Sequence, residues 1–181
     1  MSATIPDRHA AGSQPAADNT AGVVLPWHEL CGRPELNDLP YKIETDDEGR
    51  ILMTPTKNYH ASYQATITGI LHAEGRGHVM TECAIRTPHG TKVADVAWLT
   101  SETFRQVAGE AECSICPELC IEVKSDSNTE AGLRKKRELY FEQGALEVWE
   151  CRRDGSIRFY RRDPDAAWLF PEFPKTLETV G

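Results

Sequence analysis

The sequence contains no run of about 18 apolar residues, the length a helix needs to cross a bilayer, and no short apolar core near its start of the kind a secretory signal carries. No membrane segment is therefore expected, and a soluble cytoplasmic chain is the default. Bulky apolar side chains are also scarce between Met1 and Ala21, where Ala, Ser, Pro, Asp and Asn dominate. Such a stretch buries too little to offset the entropy of ordering it, so residues 1–25 are expected to be a disordered tail and residues 26–181 one domain. At 181 residues the chain can bury roughly two thirds of its unfolded surface, and it needs no disulfide or metal staple.

Positive charge is in short supply, with 20 Lys and Arg against 28 Asp and Glu and a net charge of -8. That argues against broad electrostatic capture of nucleic acid. The distribution is uneven, because nine basic residues and only five acids lie between Arg134 and Arg162. A basic surface there is compatible with a phosphate-backbone substrate, although charge runs more often mark a solvated face. A second Cys/His pair at zinc-finger spacing is also missing. Cys113-x2-Cys116-x3-Cys120 raises the question of zinc, but Pro117 separates Cys120 from the other two, and buried or loop thiols are the favoured reading.

Periodicity and turn residues outline an α/β domain. Tyr41–Glu44 and Gly49–Met53 read as a hairpin around an acidic turn. Tyr59, Tyr63, Ile67, Ile70 and Leu71 form the stripe of an amphipathic helix that ends near Gly75 and Gly77. Residues 78–87 and 91–99 are strands around Pro88-His89-Gly90, and Leu119–Lys124 is a further apolar strand. Ser127-Asn128-Thr129-Glu130 matches a capping box for a helix running through Tyr140 to a glycine cap at Gly144. Arg152-Arg153-Asp154-Gly155 closes a last hairpin, and the proline-broken Trp168–Pro174 is expected to pack on the body without forming a helix.

Charged residues inside these apolar strands are the chemical signal. Asp95 sits in Val93–Leu99, and Glu122 follows it by 27 positions in Leu119–Lys124. Alternation in an extended strand would put Glu122 and Lys124 on one face, roughly 6.6 Å apart. Buried without partners, such charges would cost several kcal/mol, so they imply a bound cation, a polar cleft or an internal salt bridge. Two acids and a lysine on strands suggest a metal-dependent phosphodiesterase site.

The order of elements, with an acid on one strand, E-x-K on the next and a helix after it, resembles the PD-(D/E)xK nuclease superfamily. Within it the chain resembles the Uma2-type restriction endonuclease domains. The stretches that carry the resemblance are Met53-Thr54-Pro55 with His60, Val93-Ala94-Asp95-Val96, Pro117–Val123 followed by Ser125, Lys136–Tyr140, Gly144–Trp149 and Leu169-Phe170-Pro171, which together span about residues 40–175. Two positions depart from the pattern. Ala94 replaces the usual proline before the first acid, and Lys124 stands where many relatives carry an apolar residue and use a helix lysine, here Lys136.

The resemblance implies a restriction-endonuclease-like core with a central mixed sheet flanked by helices and an N-terminal hairpin, in a homodimer acting on DNA. It implies Mg²⁺ or Mn²⁺ held by Asp95, Glu122 and the Val123 carbonyl, with Lys124 and Lys136 as catalytic lysines and His60 and Gln64 supporting them. Lys124 would orient the attacking water close to both acids. The alternative from another class is a catalytically inactive nucleic-acid or protein-binding module on the same fold.

Overall fold

The computed structural model describes residues 25–126 and 128–178. All of the expected tail except Leu25, and Ser127 of the expected capping box, lie outside the described residues. A short helix α1 (Trp27–Cys31) and a 3₁₀ turn (Pro34–Leu36) lead into the hairpin β1 (Tyr41–Thr45) and β2 (Ile51–Pro55). Helix α2 (Asn58–Ala73) follows, then β3 (His78–Thr87), β4 (Gly90–Leu99), α3 (Ser101–Val107), β5 (Leu119–Val123), α4 (Glu130–Glu142), β6 (Glu147–Cys151) and β7 (Ile157–Arg161). No helix among the described residues is long and apolar enough to cross a membrane.

The main sheet has the order β3-β4-β5-β6-β7 and is mixed. β5 and β6 pair in parallel through the α4 crossover, and the remaining pairs are antiparallel. The inner strands read as near-continuous apolar runs because both faces of the sheet are covered. Val96, Trp98, Ile121 and Trp149 pack with Tyr63, Ile67 and Leu71 of α2 and with Phe170 and Phe173 of the C-terminal segment. Their strand neighbours Ala97, Leu99, Cys120 and Val148 pack with Val107 of α3 and Tyr140 of α4. Each large side chain so buried contributes roughly 1.5–3 kcal/mol.

Two local readings change. The cap of α4 is Thr129, whose hydroxyl accepts from Gly132 N–H at 3.0 Å, so the helix starts two residues later than the Ser127 box would place it. The Glu130 carboxylate pairs with Lys124 and Arg152. β5 ends at Val123, so Lys124 belongs to the connection into α4, and strand alternation no longer aims its side chain.

The hairpin docks on β4 through a close approach at Gly90. Gly90 has φ +83°, and a Cβ there would lie 2.5 Å from the Asp46 carbonyl. Next to it Thr91 N–H donates to Thr45 Oγ1 at 2.7 Å, and the Lys92 ammonium donates to the Thr45 carbonyl. These bonds fix β1 against β4 and bring Lys42 and Glu44 to the part of the strand that carries Val93 and Asp95.

Candidate active site

Four acids are buried in the inner strands, and their partners sort them. Glu147 accepts from Trp149 Nε1 at 2.8 Å and Leu169 N–H at 2.5 Å, and Glu150 accepts from Arg137 at 2.5 Å. Both are satisfied structural groups. Asp95 and Glu122, 1% and 4% exposed, instead line one small cleft of about 40 Å³, together with Lys42, Glu44, His60 and Lys136.

The cleft opens where two strands part. The β4–β5 ladder runs from Trp98↔Leu119 to Val96↔Ile121 and stops short of the acids. Val123 N–H donates to Asp95 Oδ2 at 2.6 Å, so the carboxylate takes the place of a strand carbonyl. His60 Nε2 lies 3.1 Å from the same oxygen, which makes Nε2 the protonated nitrogen facing this carboxylate. Gln64, one turn further along α2, donates to the Asp95 backbone carbonyl at 2.9 Å. His60 and Gln64 thus hold Asp95 by its carboxylate and its main chain.

Glu122 is held from the other side. Tyr140 O–H donates to Oε1 at 2.7 Å, and Lys136 Nζ donates to Oε2 at 2.9 Å. Lys136 also donates to the Val93 carbonyl at 3.0 Å and pairs with Glu44 at 2.7 Å. The Lys42 ammonium hydrogen-bonds Asp95 Oδ1 and lies 3.8 Å from Glu122 Oε2.

Three carboxylates therefore face two ammonium groups. Burial pushes the Glu122 carboxyl above its ordinary range, against the pull of Lys136 and Lys42. Burial also opposes ionisation of Asp95, but the Lys42 ammonium and the His60 ring outweigh it and hold Asp95 well below the usual range. Lys136 follows the same logic in reverse: burial disfavours its charge, and Glu122, Glu44 and Asp95 overcome that and hold it above its ordinary value. The set is a strongly polarised, charge-paired centre.

Lys124 is not part of it. Its side chain, 25% exposed, pairs with Glu130 and lines a neighbouring groove with Arg152 and Arg153. Of the residues expected at the site, Asp95, Glu122, Lys136, His60 and Gln64 come together and Lys124 stands apart. Lys42 and Glu44 join them without having been foreseen. Opposite charges two apart on a short strand read as a solvated face, and only the approach of β1 to β4, 53 positions on in sequence for the Lys42–Asp95 pair, makes them internal. The basic stretch is largely neutralised locally, with Arg137 on Glu150 and both Arg152 and Arg158 on Glu130.

The donor set suits a hard divalent cation. Asp95 Oδ1 and Glu122 Oε2 are carboxylate oxygens already turned towards a single cationic group, and Mg²⁺ characteristically takes one or two carboxylates while keeping its waters. No cluster of three or more His, Cys, Asp or Glu side chains suited to a metal occurs among the described residues.

The chain is thus an α/β domain with a mixed five-stranded sheet, in which a buried acid pair and a lysine share one cleft. The chain belongs to the Uma2 family, described as putative restriction endonucleases, whose profile it matches over residues 29–180. No curated protein matches it. Among solved structures it is similar to a putative nuclease belonging to DUF820 from Anabaena variabilis ATCC 29413, with a TM-score of 0.61 and 16% identity over 79% of this chain and 82% of that one. At that identity the likeness speaks for the shared fold.

Proposed function

We propose that this protein is a metal-dependent endonuclease that hydrolyses phosphodiester bonds of DNA. The observation that carries the reading is the convergence of two buried carboxylates from adjacent strands, Asp95 and Glu122, with Lys136 on Glu122 in one small cleft. Asp95, Glu122 and the Val123 carbonyl would hold Mg²⁺ or Mn²⁺. Such an ion, when bound, polarises the phosphoryl group and lowers the pKa of a bound water.

The remaining work falls to the chain itself. Tyr140 and Lys136 fix the Glu122 carboxylate, and His60 and Gln64 fix Asp95, so neither acid must reorganise when substrate arrives. Lys136 keeps its proton and presents positive charge beside the scissile phosphate, where negative charge builds up during attack. Lys124, Arg152 and Arg153 line the adjoining groove, which shares Ser125 and Asn128 with the cleft, and there they would contact the neighbouring backbone phosphate. Lys124 is thereby given a binding role and Lys136 the catalytic one.

A second reading is favoured by the Lys42 contact. Because Lys42 and Lys136 already compensate the acids, the same scaffold could serve as a nucleic-acid-binding module without catalysis. Cleavage assays on duplex, nicked, branched and single-stranded DNA with Mg²⁺, Mn²⁺ or EDTA separate the two. Metal-dependent cleavage that is lost in both Asp95→Asn and Glu122→Gln supports the enzyme, and no cleavage of any substrate by the folded protein refutes it.

A further inference from the structure

The oxygens of the acid pair are not equally available. Asp95 Oδ2 is taken by Val123 N–H and His60, and Glu122 Oε1 by Tyr140. Glu122 Oε2 accepts from Lys136 at 2.9 Å, while Asp95 Oδ1 is met by Lys42, whose Nζ also lies 3.8 Å from Glu122 Oε2. A metal ion about 2.1 Å from Asp95 Oδ1, on the side facing Glu122, would fill the place that the Lys42 ammonium now takes.

We propose that Lys42 is a resident cation that occupies the divalent-metal position, so that metal binds by exchange with the Lys42 ammonium. The inference rests on the metal-dependent reading above. The exchange is a swing of the side chain and leaves the hairpin in place. β1 is pinned by Glu44, which pairs with Lys136 and accepts from Val93 N–H at 2.7 Å, and by Thr45, which holds Thr91 and Lys92. Lys42 alone sits on a flexible four-carbon stem at the cleft wall. The device keeps two buried like charges compensated while no metal is bound, at the cost of weaker metal affinity.

The test is Mn²⁺ binding in the full chain, read by electron paramagnetic resonance and by Mn²⁺-dependent thermal shift. Lys42→Met keeps the stem and removes the charge. It is expected to bind one Mn²⁺ about tenfold or more tightly than the unaltered protein, since affinity at such sites follows the net charge of the ligand set. Without metal its melting temperature falls, because the acids lose a counter-charge, and Mn²⁺ raises it further than it raises that of the unaltered chain. If the Met variant does not fold, Lys42→Gln, whose amide can still donate to Asp95 Oδ1, carries the same comparison. Equal or weaker Mn²⁺ affinity in the variant, with binding still abolished by Asp95→Asn, overturns the exchange and leaves the nuclease reading standing. Absence of Mn²⁺ binding in both proteins overturns the metal-dependent reading itself, and the exchange with it.

Discussion

Lys136 Nζ donates to Glu122 Oε2 at 2.9 Å from a helix that begins seven residues after β5 ends, and Lys124, two positions from Glu122, does not reach it. The lysine nearest in sequence to the acid is thus not the one nearest in space. Lys136→Met is expected to lower the rate at saturating DNA by about 100-fold or more, the usual effect of removing one group that stabilises developing charge. It should also cost roughly 3 kcal/mol of stability, because Glu122 and Glu44 are left as buried charges short of a partner. Lys124→Ala should keep its turnover within a few-fold and mainly weaken DNA binding. Single-turnover rates with urea denaturation check both, and a dead Lys124→Ala beside an active Lys136→Met would reverse the assignment.

Asp95 depends on α2 for its aim. Removing the ring in His60→Ala frees one side of Oδ2, and Gln64→Ala releases the strand carbonyl. Each is expected to reduce metal-supported cleavage by about 10- to 100-fold, the range found when groups orienting a metal ligand are lost. The loss should shrink as Mn²⁺ is raised, because a misaimed ligand weakens metal binding before it affects chemistry. A loss independent of metal concentration would assign these residues to substrate contact.

How far the sequence could be read is clearest in the contrast between α2 and β1. The α2 stripe, the β3–β4 pair and the Asp154-Gly155 hairpin were legible because each rests on local periodicity or on a turn residue, and the structure has all three. Asp95 and Glu122 were legible because a charge in an apolar strand demands explanation, and Lys136 only through the resemblance to relatives that use a helix lysine. Lys42 and Glu44 were not, since nothing in Tyr41–Thr45 announces that this strand lies against β4. Lys124 was misplaced by carrying strand alternation one residue past the end of β5. Helix α3, capped by Thr100 accepting from Thr103 N–H at 3.2 Å, is too short for its periodicity to show.

The anchor that keeps Lys124 away from the acids has a pH signature. Arg152 grips both oxygens of Glu130, at 2.7 and 3.1 Å, and with Lys124 it brings the carboxyl from its ordinary 4.5 down to about 2. A carboxyl more acidic in the folded than in the unfolded chain stabilises fully above the unfolded pKa, and loses that contribution as pH falls towards the folded one. The stability gap between the unaltered protein and Glu130→Gln should therefore be constant from pH 7 to about 5, narrow below 4.5 and close near 2. Since Glu130 is largely solvent-exposed, the gap itself should be small. Urea titrations at stepped pH measure it, and a gap that persists unchanged to pH 3 would show that the pairing does not shift this carboxyl.

Gly90 links the fold to the cleft. In the left-handed region at φ +83°, with its missing Cβ directed at the Asp46 and Thr45 carbonyls at 2.5 and 2.7 Å, it lets the β1–β2 hairpin lie against the β3–β4 turn. Gly90→Ala would meet backbone that cannot yield without moving the hairpin, and should cost about 1–3 kcal/mol through strain. The functional effect should exceed what that loss implies, because Thr45 then separates from Thr91 and draws Lys42 and Glu44 off the acid pair. With Lys42 withdrawn, Mn²⁺ should bind more tightly even as cleavage falls, since Glu44 no longer helps hold Lys136 in place. Amide exchange across β1, faster in the variant while β5 and β6 stay protected, locates the change in the hairpin. Uniformly faster exchange would mean global destabilisation, and Mn²⁺ affinity that falls together with cleavage would mean that the hairpin supports metal binding and does not oppose it.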